Sequence, residues 1–353
     1  KRITELKELV SAFQSANKQQ KPLPVLKTKF IQCRLAYKRL AVLTEYFNPL
    51  ETKSLNSPAL ERLTSEAPDD IVAPEGFQAI EDLLYNSNWV PSSSKKLNLY
   101  LGKIKAVLTK LENEPDKNYR NQKSLLWDAL RSANLSIITL GITGFDSPAA
   151  KLSITEAKTG VEEIKILLSF LRGNNSSEAE YAGLLVLIDS AIKYLNGHNN
   201  FDSFNRLEFI KGYADPVYKQ LCKIRIQDKI DPPGGSNRIN FSSSSIFDEN
   251  AFDINFFSPG REYWVTPERA ILGKKLFFDN VLSITKNRNC GSCHKPELAF
   301  TDGLKQPLAI DNKTPLLRNS PTLVNAAFQT KFFYDNRVSL LEGQLNEVVH
   351  SKE

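Results

Sequence analysis

Methionine is absent from all 353 residues, where about two per cent usage would give roughly seven. Either the composition is unusual, or methionines have dropped out of the sequence and some spacings are short by one. No apolar run is long enough for a secretory leader or a membrane span. No dense basic block occurs either: the formal charge of +6 is spread over 46 Lys and Arg and balanced by 40 Asp and Glu. That distribution argues against a nucleic-acid partner. A mild positive balance suits docking to an acidic redox partner, and solubility alone also accounts for it. Histidine is nearly as scarce as methionine, at His198, His294 and His350 only.

What is present suffices for two domains with sizeable cores, since 41% of the residues are hydrophobic. Residues 1–229 read as a helical bundle. Phe30, Cys33, Tyr37, Leu40, Thr44 and Phe47 fall at three- and four-residue spacing, one face of a helix, with Pro49 beyond its end. A second helix is predicted from Pro74 to Asn88, and others over 94–113, 119–140, 149–172, 177–196 and 203–228. No β alternation competes, so an all-α bundle with short connections is the expected architecture. Residues 230–254, with Asp231-Pro232-Pro233-Gly234-Gly235-Ser236 and Ser242–Ser245, read as a linker or long surface loop. A second unit is expected over 255–353. Its first helix starts at Thr266-Pro267-Glu268, a hydroxyl N-cap followed by proline at the first helical position. That helix is expected to carry Leu272, Leu276 and Phe277 toward a core. Cys33 and Cys222 lie on predicted helices far from the other two cysteines. A disulfide between them and two separate buried thiols both remain open.

The second unit contains Cys290-Gly291-Ser292-Cys293-His294, the C-x-x-C-H attachment signature of c-type haem. Two intervening residues let both sulfurs reach one porphyrin edge, and the next side chain is placed to ligate the iron. A zinc site would need two further soft ligands nearby, and the other cysteines are distant. A thioredoxin-like dithiol would want a βαβ setting, which is not seen.

The flanking sequence is more specific than the motif. Leu272-Gly273-Lys274-Lys275-Leu276-Phe277-Phe278-Asp279 precedes it, and Ala299-Phe300-Thr301-Asp302-Gly303 follows. Then come Arg318-Asn319-Ser320-Pro321-Thr322-Leu323-Val324-Asn325-Ala326-Ala327-Phe328, Phe333-Tyr334-Asp335-Asn336-Arg337 and Leu341-Glu342-Gly343-Gln344. In this order and spacing, residues 262–353 resemble the bacterial di-haem cytochrome c peroxidases, a family that includes MauG. The resemblance implies a cytochrome c-like haem domain carrying the peroxidatic haem c. It also implies a second haem domain with its own C-x-x-C-H. The sequence holds no second such motif, so a chain truncated within the family's architecture is expected.

The resemblance also assigns roles. Cys290 and Cys293 would bind haem and His294 would ligate its iron. Gln344 matches the family's distal glutamine. Glu353, nine residues later, matches the catalytic carboxylate, and Phe333, eleven residues before Gln344, matches a distal phenylalanine. One carboxylate above the iron can take and return the proton that peroxide cleavage needs, while an amide orients peroxide without titrating. Asn319 matches an asparagine that helps bind calcium between the haem domains. Tyr334 stands where many members have an electron-relay tryptophan, as a relay or as a packing residue at the haem. No histidine occurs between Lys295 and Arg318, where many members carry a resting-state ligand, so an open or water-bound distal side is expected. The implied reaction is reduction of hydrogen peroxide to water with electrons from a small c-type cytochrome or cupredoxin. The alternatives are MauG-like oxidation of another substrate and a non-enzymatic haem c carrier or sensor. The resemblance further implies a periplasmic or outer-side membrane-anchored protein and is compatible with a homodimer.

In the bundle, Gly76-Phe77-Gln78-Ala79-Ile80-Glu81 resembles the G-x-H-x-x-E helix of imelysin-like domains, with Gln78 in the histidine position. Gln78, Glu81 and Tyr85 share one helix face, and Arg34, Tyr37 and Lys38 are candidates to meet them. A site that handles iron and a buried polar network that fixes the bundle both fit this face, and loss of the histidine weakens the first.

Overall fold

A computed structural model describes residues 1–63, 71–113, 123–171, 178–232, 237–284, 286–309, 311, 313–333 and 337–350. The chain is all-α apart from one antiparallel pair of two-residue strands, β1 (Arg62–Leu63) and β2 (Ile71–Val72), among the described residues. It divides into two compact units. The first comprises Lys1–Leu60, Ala73–Gly235 and Ile239–Ala251; the second comprises Glu61–Val72, Ser236–Arg238 and Phe252–Glu353.

The first unit is built on α2 (Leu23–Phe47), which buries residues on nearly every side, from Leu26 to Thr44. Its exposed residues, Pro24, Val25, Thr28 and Gln32, all lie in the first half; from Cys33 onward none is exposed, and that half sits inside the bundle. Around it pack α1 (Arg2–Lys18), α3 (Pro49–Leu55), α4 (Gly76–Tyr85), α6 (Lys123–Ser136) and α7 (Ser153–Leu171). Helix α5 (Pro91–Asn113) packs on α1 and α4, and α8 (Glu178–Gly197) on α7. The short α9 (Arg206–Phe209) and α10 (Asp215–Gln227) are joined by a π turn over Ile210–Ala214, and a second π turn, Ile137–Gly141, follows α6. Two apolar clusters result. One holds Phe13, Phe30, Tyr37 and Phe77; the other holds Trp127, Ile164, Ile188 and Leu221. Each such side chain contributes about 1.5–3 kcal/mol on burial. Cys33 and Cys222 are separate buried free thiols, and burial pushes Cys33 up to about 12.

One glycine is required where α4 begins. Gly76 sits at φ +81°, and a Cβ there would lie 2.5 Å from the Leu55 carbonyl oxygen. Gly76→Ala is therefore expected to destabilise the protein by more than about 2 kcal/mol, from left-handed strain plus the clash. A denaturant midpoint equal to wild type would refute this.

A polar network lies where α2 meets α4, α7 and the loop before α7. Arg34 is fully buried and grips both carboxylate oxygens of Glu156, at 2.7 and 2.5 Å. It also donates to Asn56 Oδ1 and to the Asp146 carbonyl. Lys38 pairs with the Asp146 carboxylate. Glu81 Oε1 accepts from Ser147 Oγ and from the Ala149 and Ala150 N–H groups. Gln78 Nε2 donates to the Asn56 carbonyl. Tyr37 packs its ring on Phe77 within this region, whereas Tyr85 stands apart against Phe30 with Lys27 over its ring. Lys38, Asp146 and Glu156 also line a cavity of about 30 Å³ beside the Ile137–Gly141 turn, room for about one or two waters.

The stretch expected as a linker differs from a free connector, because Ile239–Ala251 is built into the first unit. Buried Arg131 needs acceptors, and the Asn240, Phe241 and Ser243 carbonyls supply them. Ser245 Oγ and the Ile246 N–H donate to buried Asp215. The serines thus serve as donors and acceptors to buried charges.

The second unit contains α11 (Pro267–Phe277), α12 (Cys290–Cys293) and α13 (Leu341–His350), joined by short 3₁₀ turns and irregular chain. The start of α11 is as predicted: Thr266 Oγ1 accepts from the Arg269 N–H, with Pro267 at the first helical position. Its expected core is not formed from protein. Leu272 is 56% and Leu276 36% exposed, and no residue of α11, α12 or α13 is buried. Among the described residues of 252–353, Pro307, Ala309 and Phe332 are the only buried apolar side chains.

Candidate functional site

The site is organised by α12. Asn289 caps it through a capping box: the Asn289 side chain accepts from the Ser292 backbone N–H, and Ser292 Oγ accepts from the Asn289 backbone N–H at 3.1 Å. The amide of Asn289 also donates to the Phe278 carbonyl and to Asn280 Oδ1, tying the turn to the end of α11. This cap puts Cys290 and Cys293 on one helical turn as free thiols. Burial raises the Cys290 thiol above its ordinary value.

His294 follows directly as the helix C-cap. Its Nδ1 lies 3.0 Å from the Phe300 carbonyl oxygen. A carbonyl only accepts, so Nδ1 carries a proton, and in the neutral imidazole Nε2 then keeps its lone pair, the form a metal ligand takes. The carbonyl is aimed by two consecutive non-glycine residues in the left-handed region, Ala299 at φ 52° and Phe300 at φ 58°. Thr322 Oγ1 donates to the Ala299 carbonyl at 2.5 Å.

Gln344 is on α13 and half-buried. Phe333 has φ 63°, and the Arg337 guanidinium lies 3.9 Å from its ring centroid. Asn319 is exposed, and no group of three or more His, Cys, Asp or Glu that could hold a metal ion occurs among the described residues. Tyr334 and Glu353 lie outside the described residues. His350 is exposed at the end of α13, and His198 stacks on Tyr194 in the first unit.

These residues fit a covalently held haem on three observations. Two unbridged thiols share one turn, an imidazole offers Nε2, and the unit's apolar side chains have almost no protein core to enter. Two groups in the site carried no expectation from sequence. Asn289 and Ser292 follow a readable N-cap pattern, Asn-x-x-Ser. The Phe300 carbonyl and the Thr322 hydroxyl have no such signature.

A family model described as di-haem cytochrome c peroxidase matches residues 267–353. Residues 267–353 are thus similar to that family. The methylamine utilization protein MauG of Methylorubrum extorquens is 41% identical over 80 residues, 23% of this chain and 22% of that protein. Cytochrome-c peroxidase IdrP2 of Denitromonas iodatirespirans is 43% identical over 68 residues, 19% of this chain and 18% of that protein. Cytochrome c551 peroxidase of Pseudomonas aeruginosa is 36% identical over 83 residues, 23% of each chain. The chain thus spans about a fifth of the length of the curated relatives it matches. The matched relatives include peroxidases and MauG proteins alike. The matched segment begins at Pro267, the first residue of α11, and includes the whole thiol–imidazole site.

Proposed function

We propose that this chain carries the peroxidatic haem of a di-haem cytochrome c peroxidase that reduces hydrogen peroxide to water. The balanced step consumes H2O2, two protons and two electrons, and releases two water molecules. The electrons come from a small c-type cytochrome or cupredoxin. The observation that carries the reading is the pairing of two thiols on one turn with an imidazole whose Nε2 is left free by Phe300.

A haem c bound here supplies the redox-active iron. The chain's own residues have separate tasks. Cys290 and Cys293 would tether the ring, and His294 would offer Nε2 to the metal. Gln344 orients the substrate by hydrogen bonds, and Glu353 takes and returns the peroxide proton. Asn319 contributes to a calcium site with a further domain. Tyr334 carries electrons or packs at the haem. The protein acts outside the cytoplasm, in the periplasm or anchored on the outer side of a membrane, because haem c is attached there. No helix among the described residues is long and apolar enough to cross a membrane.

The test is turnover of hydrogen peroxide by haem-loaded protein with a reduced cytochrome or cupredoxin. Sustained oxidation of the donor at two electrons per peroxide is expected. A second reading, oxidation of a different substrate, is favoured by tyrosine at the relay position and by the likeness to MauG. In that case peroxide would oxidise the haem protein to a long-lived species, and added donor would not be turned over.

A further inference from the structure

The loop that faces His294 is held in a conformation its sequence does not favour. After the 3₁₀ turn Pro296–Leu298, Ala299 adopts φ 52° and ψ 40°, and Phe300 follows at φ 58°. Each residue bears a Cβ, and neither conformation is one L side chains take without cost. Something must therefore hold the pair. The Lys295 N–H bonds the Thr301 carbonyl at 3.0 Å, and the Phe300 N–H bonds the Lys295 carbonyl at 2.8 Å. These two bonds close the loop at its ends. The middle is fixed from a distant segment by Thr322, whose Oγ1 donates to the Ala299 carbonyl at 2.5 Å. A carbonyl only accepts, so the hydroxyl proton points at Ala299, and Oγ1 in turn accepts from the Val324 N–H at 3.1 Å. With the peptide following Ala299 anchored, the Phe300 carbonyl is left facing His294 Nδ1.

We propose that Thr322 is a positioning residue that sets the electron donation of His294, and through it the reduction potential of the haem. This rests on the haem reading given above. An Nδ1–H held on a carbonyl makes the imidazole a stronger donor at Nε2. A stronger donor favours the ferric iron and lowers the potential. Removing the hydroxyl frees the Ala299–Phe300 pair to relax, lengthens the His294 contact and raises the potential.

The experiment uses the full chain, matured with the haem c attachment machinery, as wild type, Thr322→Val, Thr322→Ala and Thr322→Ser. Potentials are read by spectroelectrochemistry, and the iron–histidine stretch by resonance Raman of the ferrous protein. Val and Ala are expected to shift the oxidised-to-reduced equilibrium about tenfold toward reduced iron, about 59 mV for one electron. Both should lower the stretching frequency, and Ser should restore wild-type values. If Val prevents maturation, Ala, which adds no bulk, provides the same contrast with Ser. Equal potentials and equal stretching frequencies with and without the hydroxyl would overturn the assignment of Thr322. A wild-type protein that takes up no covalent haem would instead overturn the haem reading itself. Neither measurement uses peroxide, so the two failures are distinct.

Discussion

Protein carrying both Cys290→Ala and Cys293→Ala, expressed with the attachment machinery, should show no haem after denaturing electrophoresis, and its second unit should lose its own melting transition. The first part follows from covalent chemistry, since no other free thiol lies within that unit among the described residues. The second follows from packing. Helices α11 and α13 bury no residue, and side chains such as Ile271, Leu272, Val281 and Leu345 stand about half exposed. A unit of this size without an apolar core does not hold together by itself. A porphyrin covering several hundred Å² of such surface would contribute roughly 10 kcal/mol at about 25 cal/mol per Å². The first unit has its own two clusters and should melt unchanged. Calorimetry of the full chain therefore distinguishes the outcomes: wild type with two transitions and the double variant with one. Retained covalent haem, or a second transition at the wild-type temperature, would sink the argument. The single variants should fall between, each keeping one thioether.

This contrast between the units also explains what was legible in the sequence. In α2 the spacing of Phe30, Cys33, Tyr37 and Leu40 names the buried face directly, because apolar burial is periodic. The thiols and His294 are equally legible, since one turn of chain must present all three and their spacing cannot vary. Leu272, Leu276 and Phe277 were expected to point toward a core; Leu272 and Leu276 stay exposed, whereas Phe277 is half-buried against Phe300. Sequence periodicity reports that a face wants cover and not what covers it. The left-handed pair was invisible for a different reason. A positive φ is normally announced by glycine, and here the positions are Ala299 and Phe300. The hydroxyl that holds them comes from Thr322, 23 residues further on, and long-range side chain to backbone bonds leave no local pattern. The two π turns and the two-residue strands are likewise too short to be read. The serine-rich stretch 242–245 looked like solvated loop because composition cannot reveal that Arg131 and Asp215 are buried and need partners.

The largest stability effect in the first unit is expected at Arg34. Arg34→Leu should lower unfolding stability by about 3–5 kcal/mol, because the Glu156 carboxylate, itself 1% exposed, would be left charged without its partner. The loss exceeds the worth of the pair, since two desolvated charges largely repay each other only while both are present. The double variant Arg34→Leu/Glu156→Leu should therefore recover much of the loss, and the two substitutions should be far from additive. Acid should act through the neighbouring Asp146. Burial pushes its carboxyl up, but Lys38 and Arg34 outweigh that and hold it below the ordinary range. A depressed folded value means the contribution is fully present above the unfolded carboxylate value and is lost as pH falls through the folded one. Glu81 runs the other way, because burial raises it above the ordinary range despite the N–H groups it accepts from. Its contribution is fully present below the unfolded value and is lost as pH rises through the folded one. Denaturant titrations across the acid range, on wild type and Asp146→Asn, separate the two. The substitution should flatten the loss at the lowest pH and leave the Glu81 slope in place. An Arg34→Leu protein with the wild-type denaturant midpoint would overturn this account of the Arg34–Glu156 pair.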